Sequence, residues 1–190
     1  QAISQSGTTT DTNRTVQLVR DRGAKVIAIV NRRNSDLADR ADGVLYTSDG
    51  RDIEMSVAST KAFYSQVVAG HLLAFAMSEV VSANENAGKE EILEALNSLP
   101  EAMEELLGIR GHISKLANQF APPRRHWAIV GSGGNVIAAE EIRIKLSELC
   151  YKSIASDVIE DKKHIDLSSE PMILVCANGI TGSTVDDIAK

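Results

Sequence analysis

The residues best suited to chemistry lie at the start of the chain. Ser4-Gln5-Ser6-Gly7-Thr8-Thr9-Thr10-Asp11 packs five hydroxyls, an amide and a glycine into one short polar stretch. It sits between an apolar strand end, Gln1-Ala2-Ile3, and a helical segment that runs to Arg22. A helix start leaves backbone N–H groups unpaired and carries the positive end of the helix dipole, so it favours an anion. An ordinary N-cap needs one hydroxyl, and this turn offers several neutral donors beyond that. The combination suits a phosphate monoester held without the lysine of a nucleotide-binding P-loop.

Other clusters are more ambiguous. Val57-Ala58-Ser59-Thr60-Lys61 precedes a long apolar helix and is either simple capping or the second wall of a pocket. Glu141, Lys145 and Glu148 stand at i, i+4 and i+7 and share one helix face. Such a face is either a solvated ion pair or a carboxylate poised by an ammonium for proton transfer, and spacing alone favours the ion pair. Gly131-Ser132-Gly133-Gly134 after a strand is a weak match to a dinucleotide fingerprint, because Val136 stands where the third glycine belongs. Asp157 is a poor match for the ribose-binding acid of that fingerprint. Among the histidines, His71 lies on the apolar helix as a core or interface residue, and His112 and His126 have no chemical neighbourhood. His164 falls in the charged loop Glu160–Asp166, where a solvated imidazole and a proton-transfer group are both open.

The elements that must position these groups follow an α/β rhythm. Lys25–Asn31 and Gly43–Tyr46 read as strands, with Gly23 as a helix C-cap and a short helix from Asn34 to Arg40 between them. Strand, helix, strand, helix, strand demands a parallel sheet covered by helices. A helix from Ser59 to Val81 follows, with Ala62, Phe63, Val67, Leu72, Leu73 and Phe75 as its buried candidates. Lys89–Leu99 and Glu101–Phe120 form charged amphipathic helices around Pro100, and Pro122-Pro123 closes them. The rhythm then restarts with a strand at Trp127–Val130, a helix at Val136–Cys150 and a buried strand at Pro171–Cys176, before a small-residue loop and a last helix. Two doubly wound α/β domains are expected, at 1–83 and 122–190, joined by a helical connector at 84–121. The first would lack its N-terminal strand and the second its C-terminal part.

Composition narrows the classes. Twenty lysines and arginines against 26 aspartates and glutamates give a net charge of −6, without the basic excess that nucleic acid or an anionic membrane selects. The longest nearly apolar stretch, Val67–Val81, is broken by His71, Ser78 and Glu79 and is too short to span a bilayer. No secretory signal is read at the start. Cys150 and Cys176, each among apolar neighbours, are expected as reduced core residues of a cytoplasmic protein.

Taken with their order and separation, Ser4-Gln5-Ser6-Gly7, Thr9 and Val57-Ala58-Ser59-Thr60-Lys61-Ala62-Phe63 resemble the isomerase half of the glutamine–fructose-6-phosphate aminotransferases. That half is built from two sugar-isomerase (SIS) domains, and the resemblance covers nearly the whole chain. It implies that Ser4, Gln5, Ser6 and Thr9 hold the sugar phosphate and that Val57 and Ser59 contact the sugar. Through Glu141–Tyr151 it implies that Glu148 moves protons between sugar carbons one and two, with Lys145 beside it, which favours the catalytic reading of that face. It further implies that His164 opens the sugar ring and reaches in from the neighbouring subunit of a homodimer. No metal or organic cofactor is implied. The partners implied are a phosphorylated sugar and a glutaminase domain elsewhere in the full-length protein. Thr8 stands where the family has glutamate, and Ile165-Asp166 stand where it has glycine and proline. The tail lysine that forms an imine with the ketose and the N-terminal cysteine of the glutaminase are not in the sequence. The same domain type also serves deaminases or deglycases of phosphorylated amino sugars, and non-catalytic modules that bind a sugar phosphate and regulate a partner.

Overall fold

The computed structural model describes residues 1–49, 58–81, 88–165, 167–181 and 188, with Lys163 described by its backbone only. The chain divides into two compact units, Gln1–Pro100 and Glu101–Lys190.

In the first unit, strands β1 (Ala2–Ser4), β2 (Ile27–Val30) and β3 (Gly43–Tyr46) pair in parallel in the order β1-β2-β3. Helices α1 (Thr10–Asp21) and α2 (Asp36–Arg40) connect them, and α3 (Lys61–Val80) follows. The period-two alternation of β2 sorts its side chains to two faces. Ala28 and Val30 pack with Ala2, Val16 of α1 and Leu37 of α2, while Ile29 packs with Ala69 and Leu73 of α3. Helices therefore cover both faces of the central strand. This is why Val26–Val30 reads as an unbroken apolar run. Asp42 ties the sheet's lower edge: its carboxylate accepts from the Val26 N–H at 2.9 Å and pairs with Arg20 and Lys25.

Helix α3 differs from expectation in what it buries. Ala62 and Leu73 are buried and Phe63 and Phe75 half-buried, but Val67 and Leu72 are 41% and 47% exposed. His71 is exposed as well. Apolar residues surround this helix on all sides, and one sheet can cover only one stripe of it. Beyond it, α4 runs as one helix from Lys89 to Gly108 through Pro100, and α5 spans Arg110–Phe120. The break expected at Pro100 falls instead at Ile109. Proline removes one intrahelical donor, and here the helix continues past that loss.

The second unit holds β4 (Trp127–Gly131), α6 (Asn135–Cys150), β5 (Ile154–Val158) and β6 (Met172–Cys176), with all strands parallel in the order β5-β4-β6. Strand β5 is absent from the sequence reading, because Ile-Ala-Ser-Asp-Val carries neither an apolar run nor a strict alternation. The chain leaves β4 toward β5 and returns on its other side as β6, so the carboxyl ends of β4 and β6 flank a switch point. Gly131 at the end of β4 lets α6 start close by, since a Cβ there would lie 2.3 Å from the Asn135 carbonyl oxygen. Strand β6 is half-exposed rather than buried on both faces, having one strand neighbour among the described residues. Cys150 is exposed on the last turn of α6, which corrects its assignment to the core. Cys176 is half-buried, and burial raises its thiol pKa. The last helix expected in the chain lies largely outside the described residues. Among the described residues no helix is long and apolar enough to cross a membrane.

Candidate functional site

Residues Ser4–Thr9 leave the carboxyl end of β1 and turn into α1, and their geometry is set by side chains of the turn itself. Ser4 Oγ accepts from the Gly7 N–H at 3.0 Å, and Ser6 Oγ accepts from the Thr8 N–H at 3.2 Å and the Thr8 hydroxyl at 2.9 Å. Gly7 adopts φ +67°, a region open to glycine. Its carbonyl accepts from the Leu37 N–H and from Asn13 Nδ2, both at 3.0 Å. Thr9 occupies the N-cap of α1, yet no side chain caps the helix. The first turn of this 12-residue helix thus keeps N–H groups that no side chain caps, following directly on the hydroxyl-bearing turn.

The turn meets the start of α3. Gln5 Oε1 accepts from Gln66 Nε2 at 3.4 Å, and Gln5, Asn31, Thr47, Ser48, Lys61 and Ser65 line one narrow pocket at the carboxyl end of the sheet. Its volume of about 20 Å³ takes one small polar group and not a whole sugar. Asn31, at the end of β2, is buried and its Oδ1 accepts from the Thr47 hydroxyl at 3.3 Å. The structure therefore brings the first motif and the Lys61 end of the second to one place. Ser59 holds φ +39°, which L-residues seldom adopt, where the chain enters α3. Val57 lies outside the described residues.

In the second unit, Lys145 pairs with Glu141 at 2.6 Å, and both are about four-fifths buried. Glu148, one turn further, is exposed. His164 is exposed at the end of the 3₁₀ helix Ile159–His164. No hydrogen bond or ion pair joins Glu148, Lys145 and His164 among the described residues. The glycine-rich turn forms one wall of an open crevice of about 500 Å³, lined by residues 132–135 and 178–180 at the switch point. There Ser132 Oγ donates to Glu160 at 2.9 Å, and the Glu160 N–H together with this hydroxyl lowers the carboxyl's pKa.

Sequence reasoning does not single out Asn13, Asn31 or Thr47. A signal for Asn13 exists: it is a polar residue three positions before Val16, on the buried stripe of α1.

Comparison with known proteins agrees with the α/β fold. The SIS domain family model matches residues 2–76. The glutamine–fructose-6-phosphate aminotransferase [isomerizing] of Corynebacterium glutamicum is 34% identical over 163 residues, covering 86% of this chain and 26% of the relative. That of Clostridium tetani is 33% identical over 175 residues, covering 91% and 28%. The chain thus spans about a quarter of the length of the curated relatives it matches. Among solved structures, the C-terminal domain of glucosamine-fructose-6-phosphate aminotransferase from Francisella tularensis superposes with a TM-score of 0.83 at 24% identity, over 98% of this chain and 55% of that one. Glucosamine-6-phosphate deaminase from Thermotoga maritima reaches 0.66 at 18% identity, over 92% and 50%. Residues 2–76 are therefore similar to a SIS domain, and the chain as a whole resembles a segment of the isomerizing glutamine–fructose-6-phosphate aminotransferases.

Proposed function

We propose that the chain is the sugar-phosphate isomerase portion of a glutamine–fructose-6-phosphate aminotransferase, binding fructose 6-phosphate and converting it towards glucosamine 6-phosphate. The observation that carries this reading is the turn Ser4–Thr9, a hydroxyl-rich, side-chain-uncapped helix start adjoining the first turn of α3. Ser4, Gln5, Ser6 and Thr9 are the proposed phosphate ligands, with Val57 and Ser59 against the sugar. Ser4 acts partly by holding the Gly7 N–H, since its own oxygen accepts that bond.

Conversion of ketose to aldose needs a base that takes a proton from carbon one and returns it to carbon two. Glu148 is the proposed carrier, Lys145 its electrostatic neighbour, and His164 the group that opens the ring. In the complete enzyme this step couples to amination at carbon two, with ammonia from a glutaminase domain outside this sequence. The functional unit is a cytoplasmic homodimer in which His164 serves the partner's pocket. The exposed apolar residues of α3, Val67, Leu72 and Met77 among them, support an isologous contact. The domain division proposed with it is 1–83 and 122–190, joined by the helices of 84–121.

Exchange of solvent deuterium into carbon one of fructose 6-phosphate tests the assignment. Glu148→Gln keeps the side chain's shape and removes the proton acceptor. It should slow exchange at least about a hundredfold with sugar-phosphate affinity unchanged. Equal exchange in the variant would return Glu148 to a solvated face. A second reading, a non-catalytic sugar-phosphate-binding module, is favoured by the engagement of Lys145 with Glu141 instead of Glu148. It predicts phosphate-dependent binding with no exchange in either protein. A related deaminase or deglycase of amino sugar phosphates would release ammonia from glucosamine 6-phosphate.

A further inference from the structure

The side chain of Asn13 is 7% exposed and directs both hydrogens of one nitrogen back into the preceding turn. Nδ2 donates to the Gly7 carbonyl at 3.0 Å and to the Thr9 carbonyl at 3.1 Å. Both partners accept only, so the nitrogen and not the oxygen must face them. Asn13 Oδ1 is left buried without a hydrogen-bond partner. A buried acceptor without a partner destabilises, and an apolar side chain on this stripe, like Val16 three residues on, would not carry that cost. The position keeps an amide for its donors.

Their effect follows from peptide geometry. In a trans peptide the C=O and the following N–H point in opposite directions. Holding the Gly7 and Thr9 carbonyls toward Asn13 turns the N–H groups of Thr8 and Thr10 the other way, the Thr8 N–H onto Ser6 Oγ at 3.2 Å and the Thr10 N–H out of the helix start. It also keeps two carbonyl oxygens from facing an incoming anion. The Gly7 carbonyl is held a second time by the Leu37 N–H, and the Thr9 carbonyl by the Asn13 N–H, so the turn is fixed from α1 and from α2.

We propose that Asn13 is the positioning residue of the turn, fixing through the Gly7 and Thr9 carbonyls the peptides that set the Ser6 hydroxyl and the Thr10 N–H for the phosphate of a phosphorylated sugar. The inference rests on the phosphate-binding reading of this turn. The test measures fructose 6-phosphate and inorganic phosphate binding by calorimetry, alongside thermal melts without ligand. Asn13→Leu removes the donors and the orphaned oxygen together. The expected result is a melting temperature no lower than that of the parent, with affinity for both ligands reduced at least about tenfold. Unchanged affinity overturns the proposal, whether the melting temperature holds or falls. Should Asn13→Leu fail to fold, Asn13→Asp keeps the shape and sets an acceptor against two carbonyls, and its affinities are read the same way. Failure of both variants to fold assigns Asn13 to the core alone and overturns the proposal. A parent protein that binds neither ligand overturns the phosphate reading itself, an outcome distinct from a parent that binds and a variant that binds equally.

Discussion

Gly7 and Ser35 stand so close that a Cβ on the glycine would lie 2.2 Å from Ser35 Oγ. Ser35 in turn caps α2, accepting from the Ala38 N–H at 3.5 Å. The contact locks the turn after β1 to the start of the second connecting helix, independently of any ligand. Gly7→Ala meets both the positive φ and this close approach. It should destabilise the first unit by about 2–4 kcal/mol in urea unfolding. Adding Ser35→Gly should recover part of that loss, a coupling that a double-mutant cycle reads directly. Strictly additive losses would show that the turn and α2 do not constrain each other.

Asp42 gives a pH dependence with a definite sign. Its carboxyl is held below the usual aspartate range, first by the Val26 N–H and then by Lys25 and Arg20. A depressed folded-state pKa contributes stability above the unfolded-state pKa and loses it as pH falls through the folded value. Acid titration of stability should therefore show a loss beginning near the ordinary aspartate range and continuing below it. Asp42→Asn should be less stable than the parent at neutral pH and flatter across that acid window. Parallel acid profiles for the two proteins would remove Asp42 from the linkage.

What the sequence makes legible, and what it hides, separates along physical lines. The strand Ile27–Val30 and its partner Gly43–Tyr46 are readable because burial on both faces demands an apolar run. The Ser4–Thr10 turn is readable because its donors are adjacent in the chain. Contacts set by tertiary packing are not. Lys145 could pair at i−4 with Glu141 or at i+3 with Glu148, and only the folded unit selects Glu141. Ser132 and Glu160 are 28 residues apart and meet because β4 and β5 are neighbours, so Glu160 and not Asp157 reaches the glycine-rich turn. Val67 and Leu72 illustrate the converse limit. Hydrophobicity marks them for burial somewhere, without saying that this chain's own sheet provides the cover.

The proposed sharing of the site between subunits predicts complementation. Glu148→Gln and His164→Ala should each be inactive in the isomerisation assay as homodimers. If His164 serves the partner's pocket, mixed dimers recover one intact site, and activity should rise toward a quarter of the parent's after random re-pairing. No recovery despite demonstrated mixing would assign His164 to its own subunit's pocket or to no pocket. Ile165, which follows the histidine, is half-buried and closes the 3₁₀ turn through its N–H to the Lys162 carbonyl at 3.0 Å. That bond gives the His164 segment a defined end without the family's glycine and proline.

The central claim is that the turn after β1 receives the phosphate of a phosphorylated sugar. The most direct measurement is a titration of the protein with fructose 6-phosphate followed through backbone amide resonances, with unphosphorylated fructose as the paired titration. The account predicts saturable shifts at Gln5–Thr12 and at Lys61–Gln66 with fructose 6-phosphate, and none at these residues with fructose at the same concentrations. Shifts confined to other residues, or equal responses to both sugars, would contradict it.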